Sequence, residues 1–277
     1  MLFRSVFFPI LAIVLGFFFK STAVASVPER IVSTHLCADQ LLLLLESKEK
    51  IVSLSYFSSD PNFSNFSSEA IGFHKNHGLV EELLPFNPDL VITGEYSALP
   101  TTAMLKRIGI PVIQLPVSNN FNEIFLNIRR VAAAVGKQSL GEELIEKFIF
   151  ELKKVSSFEE KKPVAVLYWP NGYTPGNNSL AAEVLRYVGF GNLGQRYGTS
   201  SASYMALEQL VLSQPDIVVI PQRGSASLAS DVPHHRALRL MFDEGRIVKI
   251  PDRLWTCGGP AVIEALQILR HIRKKIR

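Results

Sequence analysis

The side chains able to do chemistry gather in a few aromatic loops. Tyr56 and Phe57 form one, Phe73 and His74 another, Trp169 and Tyr173 a third, and the segment Pro251 to Pro260 supplies Asp252, Arg253 and Trp255. Aromatic faces hold large, flat, partly apolar molecules by stacking and exclusion of water. Loop Phe and Tyr also commonly cover a protein's own core, which is the simpler assignment for Phe63 and Phe66. Groups arranged for turnover are not found: the sequence has no Gly-x-Ser-x-Gly elbow, no phosphate loop and no His-Glu-x-x-His. The histidines, His35, His74, His77, His234, His235 and His271, have no spacing that assembles a metal site. His35 follows the first strand and either faces a ligand or satisfies loop backbone. Gly258-Gly259 precedes a helix and suits either an anion or a tight turn. These residues read as binding groups, without catalytic residues, a resident metal or a cofactor.

Strands joined by helices must position those loops. Arg30 to Thr34, Ile51 to Leu54, Asp89 to Thr93 and Pro111 to Leu115 read as strands, with helices over Ala38 to Glu46, Leu79 to Leu84 and Ala98 to Ile108. Asn122 to Val135 is helical. A second helix follows from Ser139 to Val155, with Ser139 as N-cap and Glu142 completing a capping box. The alternation then resumes: strands at Val164 to Tyr168, Asp216 to Ile220 and Ile247 to Ile250, and helices at Leu180 to Val188, Ala206 to Leu212, Arg236 to Phe242 and Ala261 to Arg273. Strands separated by helices form parallel sheets, because parallel neighbours need long crossovers. At 277 residues the chain is long enough for two such lobes. The expected organisation is α/β: two Rossmann-like lobes with parallel sheets at 26–136 and 161–277, joined by one long spanning helix at 137–160.

The first residues are different in kind. Arg4 precedes an apolar run from Val6 to Phe19, and Ala23-Val24-Ala25 offers small residues where a signal peptidase cuts. The run is short of the ~20 residues that cross a bilayer. Residues 1–25 therefore read as a cleavable signal peptide, and no cysteine lies near the cut to carry a lipid. Export into a periplasm would place Cys37 and Cys257 in an oxidising compartment. The formal charge of +4 is small, and no basic stripe with interleaved aromatics exists to follow a phosphate backbone, so nucleic acid is not expected.

An internal repeat ties the halves together. Glu81-Glu-Leu-Leu-Pro-Phe-Asn-Pro-Asp-Leu-Val-Ile aligns with Glu208-Gln-Leu-Val-Leu-Ser-Gln-Pro-Asp-Ile-Val-Val, placing the same Glu ahead of the same Pro-Asp and strand. With Arg30-Ile-Val-Ser, Gly109-Ile-Pro-Val and the helix between the halves, the chain resembles the substrate-binding proteins of ABC importers that bind cobalamin and ferric siderophores. The resemblance covers nearly all of the exported chain. It implies capture of a large chelate such as cobalamin or a ferric siderophore in an interlobe cleft, followed by delivery to a permease, with the ligand itself the metal chelate. A haem-binding protein of the same fold is the nearest alternative, and a periplasmic enzyme or sensor module on that fold the more distant one.

The resemblance assigns roles by position. Glu81 and Glu208 match outer-face acids that dock on permease arginines. The alternative for each is a solvated acid in the first turn of a helix. Tyr56, Phe73, Trp169, Tyr173 and Asp252 match positions near cobalamin, with Phe57, His74, Arg253 and Trp255 beside them. Only Arg196, Arg223 and Arg253 lie near the cleft loops, too few for the arginine cluster that grips strongly anionic ferric complexes. In this fold Cys37 and Cys257 both follow strand ends that open on the cleft. A disulfide, two buried thiols and a thiol pair facing the ligand are all compatible with that placement.

Overall fold

The computed structural model of the chain describes residues 27–46, 48–156, 162–197, 202–222, 235–236, 238 and 245–276. The leader expected at 1–25, Arg223, His234 and most of the helix expected near 236–242 lie outside the described residues.

Ile31–Ser33 (β1), Ile51–Ser55 (β2), His74–Asn76 (β3), Leu90–Gly94 (β4) and Val112–Leu115 (β5) form a parallel sheet in the order β3-β2-β1-β4-β5. Val164–Leu167 (β6), Gly191–Asn192 (β8), Ile217–Gln222 (β10) and Ile247–Pro251 (β11) form a second, in the order β11-β10-β6-β8. Tyr173–Pro175 (β7) pairs antiparallel with Ala202–Tyr204 (β9). The helices are Leu36–Leu45 (α1), Val80–Leu83 (α2), Leu99–Arg107 (α3), Phe121–Ala134 (α4), Gln138–Val155 (α5), Leu180–Tyr187 (α6), Leu207–Ser213 (α7) and Val262–Arg273 (α8).

Strand side chains point alternately to opposite faces, and both faces of each sheet are buried. Ile31, Leu90 and Ile92 of the first sheet, with Ala165, Leu167, Ile217 and Val219 of the second, enter one continuous core. Their neighbours turn outward. Val32 and Val91 meet Leu83 and Leu105, while Val166, Val218 and Ile220 meet Met205 and Leu210. The shared core therefore reaches from one sheet to the other, and two smaller cores close the far sides.

Helix α5 lies in that shared core. Gly141, Ile145, Phe148, Leu152 and Val155 recur at three- and four-residue spacing, so one face is apolar and buried. The helix packs on α4 at one side and α8 at the other. A Cβ on Gly141 would stand 2.6 Å from the Ala132 Cβ, so glycine there sets how closely α4 and α5 approach. The capping box expected at Ser139 does not form. The helix begins at Gln138 after Lys137, without a side-chain cap, and Glu142 instead accepts two hydrogen bonds from Arg129 on α4, at 2.7 and 2.9 Å.

The repeat is structural as well as sequential. In the first copy Asp89 accepts from the backbone N–H groups of Glu29 and Arg30, and in the second Asp216 accepts from that of Val164. Each aspartate so ties the foot of one strand to the foot of its neighbour. Asn87 and Gln214, each just before the proline, both take left-handed backbone, with φ of 45° and 41°. Glu81 and Glu208 are exposed in the first turns of α2 and α7.

Short strands β3, β7, β8 and β9 were not expected. Two or three residues cannot display an alternation, and His74-Lys75-Asn76 has loop composition. β3 forms because β2 offers an open edge, with Ser53 paired to His74 and Ser55 to Asn76. Buried Asn76 then bonds the Ser33 and Leu54 carbonyls, each at about the length of a good hydrogen bond.

Candidate ligand cleft

In parallel α/β sheets the loops beyond the strands' carboxyl ends line the binding crevice. Here the loops after β4 and β5 face those after β6, β7 and β11 across a cavity of about 520 Å³. Tyr96, Val117, Ser118 and Asn119 line it from the first sheet's side. Trp169, Tyr173, Asn178, Ser179, Trp255 and Thr256 line it from the second's. A deeper cavity of about 240 Å³ shares Tyr96, Val117, Ser118 and Thr256, and reaches His35, Cys37 and Asn127.

Local structure fixes the aromatic wall. The Trp169 N–H donates to the Tyr173 carbonyl at 2.8 Å across a turn in which Asn171 takes left-handed backbone. That turn lays the two rings parallel, with centroids 5.3 Å apart and 12° between planes. Tyr204 meets the edge of Tyr173 at 6.1 Å. Trp255 is only 6% exposed and packs into the shared core, whereas Tyr96 is 75% exposed. Tyr96 thus stands free in the mouth while Trp255 forms part of the wall.

The expected site residues divide. Trp169, Tyr173 and Trp255 line the larger cavity. Tyr56, Phe57, Phe73, His74, Asp252 and Arg253 line neither of these two cavities. Tyr56 and Phe57 are exposed and form their own cluster, with Tyr56 stacked on His77 at 5.0 Å and Phe57 against Phe63 at 5.8 Å. Phe73 packs on the shared core beneath Lys75, and His74 sits against Phe86. Asp252 is buried at the start of a short helical turn, where its carbonyl accepts from the Thr256 hydroxyl. Arg253 joins the lobes: its guanidinium donates to the Asn65 side chain at 3.2 Å, and Asn65 returns a bond to the Arg253 carbonyl at 2.6 Å.

Tyr96, Ser118, Asn119, Asn178 and Ser179 escaped the sequence reading. The available signal was position, since Tyr96, Ser118 and Asn119 follow β4 and β5 directly. The 56–74 segment is rich in aromatics, but Tyr56 and Phe57 pack on His77 and Phe63 rather than on the cavity.

Cys37 and Cys257 are joined in a disulfide, with Cα atoms 5.1 Å apart. The bond crosses from α1 to the loop ahead of α8 at the floor of the deeper cavity. Beside it the lobes nearly touch. A Cβ on Gly258 would lie 2.6 Å from that of Ser118 and 2.8 Å from Ile124, and Gly258 has no positive φ. Close approach of the chains, rather than a turn, requires that glycine.

Two titratable groups, one half-buried and one buried, flank this region. His35, at the N-terminus of α1, has its pKa lowered by burial, so its imidazole is neutral at ordinary pH. Asp39 is fully buried, and desolvation pushes it up to about 6 despite hydrogen bonds from Ser33 and Ser55 and the nearby Lys75. Among the described residues no group of three His, Cys, Asp or Glu is placed to hold a metal ion. No helix among them is long and apolar enough to cross a membrane.

Known proteins resemble this chain in sequence and in fold. An uncharacterized ABC transporter substrate-binding lipoprotein of Bacillus subtilis is 23% identical over 262 residues, covering 87% of this chain and 79% of its own. A cobalamin-binding protein of Halobacterium salinarum is 22% identical over 251 residues, covering 87% of this chain and 68% of its own. The periplasmic heme-binding protein RhuT of Roseiflexus sp. RS-1 superposes with a TM-score of 0.74 at 21% identity, over 90% of this chain and 98% of that one. The periplasmic binding protein family matches residues 31–241, most of the chain. The two parallel sheets, the cleft at their carboxyl ends and this match together place the chain in the periplasmic binding protein family.

Proposed function

We propose that the chain is exported by residues 1–25, captures a large chelate of the cobalamin, haem or ferric-siderophore kind in the cleft, and hands it to an ABC permease. The cavity carries the reading: about 520 Å³ walled by Trp169, Tyr173 and Trp255, with Tyr96 at its mouth. Stacked aromatics suit a flat, partly apolar ligand, and the neutral polar groups Ser118, Asn119, Asn178, Ser179 and Thr256 suit its polar rim. The cleft binds without turning its ligand over. The named relatives support the ligand class, and cobalamin and haem fit it equally.

The lobes are taken as 26–136 and 161–277 around a linking helix at 137–160, with Glu81 and Glu208 presenting the loaded protein to the two permease subunits. A core shared between the sheets opposes wide hinge opening, so small rocking serves for entry and release. The absorbance of protein purified from its native host tests the ligand class. A corrinoid, haem or ferric-hydroxamate band is expected. Featureless spectra, with no quenching of tryptophan fluorescence by cyanocobalamin, haemin or ferrichrome, would refute the reading.

A further inference from the structure

One stretch of the second lobe, residues 253–258, is fastened to the first lobe at several points. Cys257 is joined by its disulfide to Cys37 on α1, with Cα atoms 5.1 Å apart. Arg253 and Asn65 exchange hydrogen bonds, and the same Asn65 amide donates to the Gln40 side chain on α1 at 3.0 Å. Gly258 lies so near Ser118 that a Cβ there would stand 2.6 Å from that of the serine. The stretch is also stiff. The N–H groups of Trp255 and Thr256 donate to the Asp252 carbonyl at 3.1 and 2.9 Å, and the Thr256 hydroxyl donates to it as well. From this stretch Trp255 and Thr256 line the larger cavity. The rest of the second lobe's wall is held differently: Trp169, Tyr173, Asn178 and Ser179 make no hydrogen bond to the first lobe among the described residues.

A cystine admits only a narrow range of Cα separations, about 4.4–6.8 Å. The bond therefore fixes where Trp255 and Thr256 stand relative to Tyr96, Ser118 and Asn119 on the first lobe's side of the cavity. We propose that residues 253–258 form a clasp that moves with the first lobe, and that the Cys37–Cys257 disulfide sets the width of the cleft and with it the time a ligand stays bound. This rests on the reading of the cleft as the ligand site. Cys37 and Cys257 are positioning residues, acting through Trp255 and Thr256. Rocking of the lobes then parts the Trp169–Tyr173 wall from the clasp, while Trp255 and Thr256 keep their place beside Ser118.

Cys37 and Cys257 are the only cysteines of the chain, so the bond can be altered without touching another site. The protein is compared oxidised, reduced and re-bridged through one methylene group, reduced and re-bridged through a three-carbon chain, and as Cys37→Ser with Cys257→Ser. Intact mass confirms each bridge. Both bridged forms keep the loop closed, so its stabilisation is retained and only the spacing changes. Cyanocobalamin, haemin and ferrichrome serve as probes, with affinities and dissociation rates measured for every form. Affinity is expected to fall in order of bridge length. The three-carbon bridge and the double variant should lose about tenfold, an ordinary size for coupling between separate sites, chiefly through faster dissociation. Amide exchange without ligand should quicken at 253–258 in the wider forms and stay unchanged in β6 and α6. If the oxidised protein binds a probe and both bridged forms bind it equally well, the clasp role is overturned and the cleft reading stands. If no probe binds the oxidised protein, the cleft reading fails and amide exchange decides alone: equal protection of 253–258 in all forms overturns the clasp. Should the double variant fail to fold, the two bridged forms decide the matter.

Discussion

Asp39 shows how one side chain is set by opposing forces. Its carboxyl accepts from the Ser55 N–H at 3.1 Å and from the Ser55 hydroxyl, and these bonds favour the ionised form. Complete burial outweighs them and lifts the pKa from 3.8 to about 6. The fold therefore binds this proton more tightly than the unfolded chain does. Its contribution to stability is present below pH 4, falls as pH rises through about 6, and stays lost above. Two units correspond to a loss of about 3 kcal/mol at most. Asp39→Asn keeps an acceptor for the Ser55 N–H and is expected to flatten that slope, as read by thermal unfolding at pH 4, 5, 6 and 7. A slope unchanged in the variant would assign it to another group. At the cleft, Trp169→Ala and Trp255→Ala should each weaken ligand binding by about 1–3 kcal/mol, the scale for one large side chain. Isothermal titration with the ligand found by absorbance measures this, and equal affinity in both variants would make the indoles purely structural.

Elements position these residues through contacts that depend on backbone more than on residue type. The Trp169–Tyr173 pair is parallel because a three-residue helical turn closes between them, and β7 is held by β9. On the facing side Ser118 is pressed against Gly258, so the loop after β5 and the loop ahead of α8 sit as one unit. Gly258→Ala puts a methyl 2.6 Å from the Ser118 Cβ, where backbone must give way. A loss of about 1–3 kcal/mol is expected from overpacking, with weaker ligand binding because both loops line the cavities. Urea unfolding checks the first and titration the second. Gly259, with open space around its Cβ position, should accept Ala without either effect.

At the scale of the whole molecule the lobes are fastened by a shared apolar core, the Asn65–Arg253 pair and the disulfide across 220 residues. Closing so long a loop removes about 5 kcal/mol of unfolded-chain entropy in the chain-entropy account. Cys37→Ser with Cys257→Ser should therefore shift the urea midpoint strongly downward. Non-reducing intact mass with and without alkylation checks the bond in exported protein, and two alkylated cysteines would exclude it. Docking belongs to the same scale. Glu81→Ala with Glu208→Ala is expected to leave ligand affinity unchanged and to slow uptake in a reconstituted importer. Exposed ion pairs contribute only ~0–1 kcal/mol each, so orientation on the permease is the main loss, and full transport by the double variant would remove the docking role.

Sequence by itself determined the α/β class with parallel sheets, because hydrophobic periodicity and the left-handed turn before each Pro-Asp act locally. Val91 and Ile92 are apolar on both faces since their sheet is covered on both, and the aspartates of the repeat bond residues at the foot of the neighbouring strand. It also singled out Trp169, Tyr173 and Trp255, whose loops follow strand ends. Only the tertiary structure decided which aromatics share a cavity. Tyr56 and Phe57 follow the carboxyl end of β2 as Trp169 follows that of β6, yet strand order carries the first pair away from the cavity and brings Tyr96 and Ser118 in beside β4 and β5. That order, like the meeting of Cys37 with Cys257 and of Asn65 with Arg253, arises from packing between segments far apart in the chain, and spacing along the chain carries no record of it.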